Sequence, residues 1–243
     1  MRGVLVFLSF FLSAAVFSQD GTESRELVGH IGSRDALLVL HATQRPDSGW
    51  QLTGEYLLLP TMTRRFLEGE RSPQMGVTTL KEGSTAILFG RPATGELRGT
   101  WRAGAFKGMR YGPGGQERER FEFSEEFPAM DAYSAAVRCE AGDERYASSL
   151  SYSIETGRLK AFEWRSKLAP SGHTCSLGNL AQQPFSGGLR FAAGLCSVTL
   201  REVGENVKVS AEGCAQLCGS QAYLEPLLVD RRGHCRLLRP DAK

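Results

Sequence analysis

The sequence predicts an all-β protein with two antiparallel β-meander domains, each a small barrel or sandwich, of which the second is stapled by disulfides. Short apolar or alternating segments recur along the chain between turns that contain glycine or proline. No window keeps a helical period of apolar residues between capping signals. All six cysteines lie between Cys139 and Cys235, so the first half has none. This asymmetry predicts a division into a cysteine-free domain and a stapled domain.

The first 18 residues have the layout of a secretory signal peptide. Arg2 precedes an apolar run from residue 4 to residue 12, and small residues follow up to Ser18. The run is too short to cross a bilayer as a helix, and no later stretch approaches the roughly 20 apolar residues that this requires. We therefore expect cleavage after Ser18, with cleavage after Ala15 as the alternative, and a periplasmic or secreted protein without a membrane span.

Composition and motifs exclude several classes of function. The formal net charge of +2 is too small to draw the chain to nucleic acid or to a membrane surface. The sequence has no Gly-x-Ser-x-Gly elbow, no His-Glu-x-x-His and no Ser-x-x-Lys. We predict no catalytic residue, no cofactor and no metal site. The excess of arginine over lysine favours a GC-rich bacterial source.

The cysteine-free domain, residues 24–127, is predicted to be a meander that ends before a linker at Pro128. A long exposed loop is expected at residues 107–117, because four of its residues are a Gly-Pro-Gly-Gly cluster. The predicted strands around it alternate or run apolar between turn residues, and they cover residues 36–43, 50–59, 76–83, 84–90, 95–101 and 118–127.

Two segments of this domain share a degenerate sequence motif, which we call the internal echo. Leu52-x-Gly54-x-Tyr56 and Leu97-x-Gly99-x-Trp101 place a leucine, a glycine and an aromatic on one face of a strand. The glycine leaves room for an aromatic side chain from a neighbouring strand, or marks a bulge. We interpret both triplets as core, because buried aromatics usually mean packing. The functional alternative is an aromatic platform for a sugar or peptide, with Tyr56, Trp101 and Tyr223 as the possible binding surface.

The stapled domain, residues 131–243, is also predicted to consist of strands. Segments 133–140, 145–155 and 158–164 alternate or run apolar, and Thr156-Gly157 offers a tight turn. The clearest hairpin is residues 195–212, which turns at residues 204–206 and has apolar and polar positions in alternation. Residues 181–188 are expected to form a loop.

The six cysteines admit three interpretations. Cys214-x3-Cys218 with His234 and Cys235 could be drawn as a zinc set, but the spacing is unusual and export favours disulfides. A redox centre normally has two residues between its cysteines. We therefore predict a disulfide framework in which Cys214–Cys218 closes a small knob after the hairpin. The preferred set adds Cys139–Cys175 and Cys196–Cys235.

The second half also resembles known proteins. The segment CSVTLREVGENVKVSAEGCAQLCG followed by QAYLEP resembles the ending of small uncharacterised exported proteins of Gram-negative bacteria. Residues 133–238 are similar in character to the periplasmic lysozyme inhibitors, and Cys214-x3-Cys218-Gly219 after a hairpin is the specific element. The resemblance implies a disulfide-stapled antiparallel β-domain. The serine/glycine/tyrosine loop with which those inhibitors enter the active site has no counterpart, so no inhibitory residue is carried over.

These observations favour a non-catalytic exported binding module that recognises a protein or an envelope glycan, for example as an inhibitor. Stapled loops suit recognition because preorganisation lowers the ordering cost of binding. The first alternative is a hydrolase of cell-wall or polysaccharide material in which scattered carboxylates do the acid–base chemistry. The second is a structural envelope protein.

Overall fold

The computed structural model describes residues 22–46, 49–59, 61–71, 76–84, 92–169, 171–219 and 222–238. The predicted signal peptide and its cleavage point lie outside the described residues, as does nearly all of the predicted strand at 84–90. Across the described ranges, no helix has the length and apolar character needed to cross a membrane.

The first eight strands form one closed antiparallel barrel. Each strand pairs with the next along the chain, and the last pairs back onto the first, with Val28 opposite Ser124 and Ile31 opposite Phe121. The strands are β1 (Thr22–Ile31), β2 (Arg34–Gln44), β3 (Trp50–Leu58), β4 (Thr63–Arg71), β5 (Val77–Gly83), β6 (Gly95–Arg102), β7 (Ala105–Tyr111) and β8 (Arg118–Ser124). The predicted meander is therefore confirmed, and closure leaves this sheet without a free edge.

Most of the barrel interior is a packed apolar core. Every second side chain of a strand points inward, so that leucines and phenylalanines from all eight strands meet there. The fully buried members include Leu27, Leu38, Leu80, Leu97, Phe106 and Phe123. An eight-stranded barrel is just wide enough for side chains to fill it or for one small ligand to enter.

The internal echo lies on this inner face, as predicted. Leu52, Tyr56 and Leu97 are buried in the barrel core, and Trp101 packs against it. A Cβ on Gly99 would lie 2.5 Å from the Lys107 carbonyl oxygen, 2.7 Å from Phe121 Cζ and 2.8 Å from Phe106 Cε2. The glycine therefore makes room for aromatic rings from neighbouring strands, as the sequence predicted.

Replacing Gly99 by alanine is expected to destabilise the barrel by about 1–3 kcal/mol, because the added methyl overpacks a filled interior. Chemical denaturation of the purified variant measures the change. Gly178→Ala is the matched control, because the Cβ added to this strand glycine meets nothing closer than 3.7 Å. We expect the control to change the free energy of unfolding by less than about 0.5 kcal/mol. Equal effects from both variants would contradict the packing role of Gly99.

Two further antiparallel sheets follow, and one apolar cluster joins them into a sandwich. The four-stranded sheet has the order β12-β11-β10-β9, and Trp164 from it is fully buried between the sheets, as is Phe191 from the other. Its strands are β9 (Ala135–Gly142), β10 (Tyr146–Glu155), β11 (Arg158–Leu168) and β12 (Thr174–Gly178). The six-stranded sheet contains β13 (Ala181–Gln183), β14 (Leu189–Ala193), β15 (Cys196–Val203), β16 (Asn206–Glu212), β17 (Leu227–Val229) and β18 (Cys235–Leu237), in chain order.

The predicted hairpin is confirmed as β15 and β16, with Val198 opposite Ala211 and Leu200 opposite Val209. Two predicted loops are partly wrong. Residues 107–111 belong to β7 and pair with β6 on one side and β8 on the other. Residues 181–183 form β13, which pairs with β14. In both cases hydrogen bonding to a neighbouring strand outweighs the turn-forming residues that follow.

All six cysteines form disulfides, as predicted, but each predicted pairing is wrong. The bonds are Cys139–Cys235, Cys175–Cys218 and Cys196–Cys214. Cys214 and Cys218 bracket the one-turn helix α1 (Ala215–Cys218), in which the Cys218 amide donates to the Cys214 carbonyl at 2.9 Å. Positions four apart on a helix hold their Cβ atoms about 5–6 Å apart, too far for a disulfide. Three disulfides are typical of an oxidising, exported environment.

The barrel packs side-on against the sandwich. Outward-facing leucines of β2 and β3 share an apolar cluster with Phe127, Val203 and Leu228. Glu26 of β1 pairs with Lys208 and, at 3.4 Å, with Arg201. This contact covers part of the outer wall of the barrel, including Leu59 and Met62 at the β3–β4 turn, and leaves the barrel interior to other residues.

Candidate binding site at the mouth of the barrel

One end of the barrel opens into a cavity of about 310 Å³. It lies where β2 ends and β3 begins, beyond the packed core. We call this cavity the barrel mouth. Apolar and aromatic side chains share the lining with three charged ones, and the lining residues are Glu23, Arg25, Leu40, Ala42, Trp50, Leu52, Arg71 and Trp101. The volume is at the lower end of the roughly 300–1,000 Å³ that small-molecule sites occupy.

Trp101 lies at the boundary between the core and the mouth. Its indole stacks on Phe106, with ring centroids 4.9 Å apart and planes at 12°. The guanidinium carbons of Arg25 and Arg71 lie 5.6 and 6.0 Å from the indole centroid. The ring is therefore held in place by stacking and by cation–π contacts, so its position does not depend on a ligand.

The two arginines differ in how their charge is compensated. Arg25 forms ion pairs with Glu23 at 2.7 Å and with Glu125 at 2.6 Å. Burial lowers the pKa of Arg25, but the carboxylates of Glu125 and Glu23 outweigh burial and raise it overall. Within the described residues, Arg71 has no carboxylate partner. Arg71 is therefore the cation of the lining without a carboxylate partner among the described residues, although the formal charges of Glu23, Glu125, Arg25 and Arg71 together sum to zero.

Two buried polar atoms at this end of the barrel lack a hydrogen-bond partner in the described chain. One is Nε1 of Trp101 and the other is Oγ1 of Thr78. Thr78 is fully buried on β5 and lies directly opposite Arg71 in the register of β4 and β5. Trp101 lines the cavity, whereas Thr78 is not among the lining residues. Buried polar groups are nearly always hydrogen-bonded, so an unpartnered nitrogen on a lining residue is a candidate group for contact with a ligand.

A buried ionic network fills the barrel toward its other end. Arg110 donates from Nε and Nη2 to the two oxygens of Glu82, each at 2.9 Å, and from Nη1 to Glu119 at 2.9 Å. Arg65 and Arg34 add contacts to Glu82 and Glu119. The hydrogen bond to Glu82 raises the pKa of Arg110 further, and burial followed by the Glu82 charge raises the pKa of Tyr56 well above its usual range.

The three aromatic residues that the sequence singled out as a possible binding surface do not lie together. Trp101 lines the barrel mouth. Tyr56 is fully buried in the barrel, where its hydroxyl accepts a hydrogen bond from Arg110 at 3.2 Å, so it is core and not surface. Tyr223 is 50% exposed and stacks on Tyr146 in the sandwich.

Sequence reasoning missed Arg25, Arg71 and Trp50. A weak signal existed, because Leu67-x-Gly69-x-Arg71 repeats the spacing of the echo and ends in a charge. An inward-facing charge at the end of an apolar alternation marks the rim of a closed barrel. The signal becomes readable only when closure and strand register are known.

The stapled end of the sandwich exposes two leucines. Leu195 is 71% exposed and Leu217, in α1, is 53% exposed, beside the disulfides of Cys196 and Cys218. The Cys/His set considered above as a zinc alternative consists of disulfide sulfurs apart from His234, which pairs with Asp230 at 3.1 Å.

Comparisons of the chain with protein-family models, with curated proteins and with solved structures find no match. The geometry of the barrel mouth is therefore the basis for the functional assignment that follows.

Proposed function

We propose that this chain is a non-catalytic, exported binding protein whose recognition site is the barrel mouth. One observation carries the proposal: an open cavity of about 310 Å³ lined by Trp50 and Trp101, with the indole nitrogen of Trp101 buried and without a partner among the described residues. Small-molecule sites combine an apolar concave lining with a few placed polar groups. The mouth has both, on a rigid barrel.

The hydrolase alternative is less well supported by the carboxylates of the barrel. Glu82 and Glu119 are bound to the same guanidinium, that of Arg110, and Glu82 is fully buried. A glycosidase needs two carboxyl groups that flank a cleft open to the substrate. In this arrangement the carboxylates serve as acceptors for arginine and hold the barrel together.

The proposal also includes export of the chain. A signal peptide cleaved after Ser18 would deliver the chain to a periplasmic or extracellular space, where the three disulfides persist. A binding protein in that space meets small molecules, envelope glycans and other proteins. The mouth favours the first of these, because its volume is too small to take a protein loop of ordinary size. Lysozyme inhibition, which the resemblance of the second half implied, remains a separate prediction without a residue assigned to it.

Filling the mouth is expected to abolish small-molecule binding. Ala42→Trp places an indole in the cavity at a partly exposed rim position. Ligand-observed NMR with a library of neutral, anionic and cationic fragments detects binding to the wild-type protein and reports which fragments the variant loses. We expect fragments that bind the wild type to lose their saturation-transfer signal with Ala42→Trp.

Thr53→Trp is the matched control, because it adds the same indole at an exposed position of β3 one residue beyond Leu52. It should bind the same fragments as the wild type. If no fragment binds the wild type, or if Ala42→Trp retains the bound set while both variants are folded by circular dichroism, the barrel mouth is not the recognition site.

A further inference from the structure

The unpartnered groups of the barrel mouth define the chemistry of its ligand. The indole N–H of Trp101 can only donate a hydrogen bond. Its Nε1 is buried without an acceptor in the described chain, and Trp101 lines the cavity, so a ligand acceptor that reaches Nε1 through a small shift of the lining would satisfy it. This step rests on the proposed function, because it assumes that the mouth is occupied by a ligand.

The charge balance of the lining says what kind of acceptor it is. Arg25 is paired with two carboxylates, those of Glu23 and Glu125, whereas Arg71 has no carboxylate partner in the described chain. The guanidinium of Arg71 lies within 6.0 Å of the centroid of the same indole. A group with two oxygens can therefore accept from both, and guanidinium prefers planar, charged acceptors of this kind.

The lining also limits the charge that the ligand can carry. Glu23 is one of the residues that face the cavity, and its carboxylate is only partly exposed. A dianion would add repulsion from Glu23 and would exceed the single positive charge that Arg71 offers. A monoanion pairs with the one guanidinium of the lining that lacks a described carboxylate partner, and a carboxylate offers the planar pair of oxygens that guanidinium prefers.

The rest of the lining describes the body of the ligand. Leu40, Ala42, Leu52 and Trp50 offer apolar contact, and the volume admits a compact group and not a long chain. We propose that the barrel mouth binds a small monocarboxylate with a compact apolar body, whose carboxylate accepts hydrogen bonds from Arg71 and from Trp101 Nε1. The apolar body lies against Leu40 and Leu52.

Matched carboxylate and amide pairs test this assignment by isothermal titration calorimetry: benzoate with benzamide, cyclohexanecarboxylate with its amide, and hexanoate with hexanamide. Benzylamine and phenyl phosphate are the cationic and dianionic arms. We expect at least one carboxylate to bind ten times or more tightly than its amide, with both arms weaker than benzoate. Loss of a charge-assisted hydrogen bond predicts that Arg71→Gln weakens that carboxylate at least tenfold and leaves its amide within threefold.

Arg98→Gln is the matched charge-loss control, because Arg98 is exposed and pairs with Glu96 away from the mouth. It should leave carboxylate affinity within about twofold, since a surface charge is screened at physiological ionic strength. Trp101→Phe keeps an aromatic ring but removes the N–H, and we expect it to weaken the carboxylate severalfold more than the amide.

Two results would overturn the assignment in different ways. If no carboxylate is preferred over its amide, or if Arg71→Gln and Arg98→Gln act alike, the ligand is not a monocarboxylate. The proposed mouth site would still stand when Ala42→Trp abolishes fragment binding. If Ala42→Trp instead leaves the preferred carboxylate bound with unchanged affinity, the mouth is not the site and both proposals fail.

Discussion

Replacing Glu82 by alanine is expected to lower the free energy of unfolding by about 3–5 kcal/mol, the usual cost of removing one partner of a buried ion pair. Glu82 is fully buried, and both of its oxygens accept hydrogen bonds from Arg110 at 2.9 Å. Without the carboxylate, the Arg110 guanidinium remains in the barrel with Glu119 as its one charged partner. Urea or guanidinium denaturation of the purified variant measures the loss.

Glu96→Ala serves as the control, because Glu96 is only half-buried and pairs at 2.7 Å with the exposed Arg98 on the same barrel. Exposed pairs contribute about 0–1 kcal/mol. The double variant Glu82→Leu/Arg110→Met tests the cause, since replacing both partners by apolar side chains removes the uncompensated charge and should recover much of the loss. If the free energy of unfolding of Glu82→Ala lies within 1 kcal/mol of the wild-type value, the ionic network does not stabilise the barrel.

Local sequence pattern was sufficient to predict many of the strands and the hairpin, but β1 (Thr22–Ile31) and β4 (Thr63–Arg71) were not predicted. Alternation and turn residues act over a few positions, so β15 and β16, with Leu200 opposite Val209, could be predicted together with their facing sides. The echo was predictable for the same reason: the role of Gly99 follows from the period of two in a strand. Residues 107–111 were missed because β6 and β8 supply the partners that the local glycine-rich pattern does not reveal.

The candidate site depends on long-range geometry that local pattern does not contain. Arg25 and Glu125 are a hundred residues apart and form a pair because β8 closes onto β1. Arg110 and Glu82 meet across the barrel interior in the same way. Trp101 could be predicted to face inward, but whether it lies in the packed core or at the rim depends on the stagger of the strands. Arg71 can be recognised as the guanidinium of the mouth without a described carboxylate partner only after these pairs are assigned.

Local sequence pattern does not predict the disulfide pairing either. Removal of one of these disulfides is the second change for which we expect a large loss of stability. The four-stranded sheet of the sandwich has two edge strands, and a disulfide leaves each of them. Cys139 of β9 joins Cys235 of β18, and Cys175 of β12 joins Cys218 of α1. Both bonds connect the sheet to the opposite layer, and among the described residues no strand of one sheet pairs with a strand of the other. Spacing along the chain could not predict this, because the pairing follows which sheet edges face each other.

Removing the Cys139–Cys235 bond by serine substitution of both residues is expected to destabilise the sandwich by about 4–5 kcal/mol. The chain-entropy model gives this value for a closed loop of nearly a hundred residues, and the sequence separation is 96. For Cys196–Cys214, with a separation of 18, the same model gives about 3 kcal/mol, so its double-serine variant is the matched comparison. Peptide mapping of the unreduced wild type first verifies the pairing. Denaturation of both variants then shows which one loses more unfolding free energy. A larger loss for Cys196–Cys214 would mean that local anchoring of α1 stabilises the sandwich more than closure of its edges.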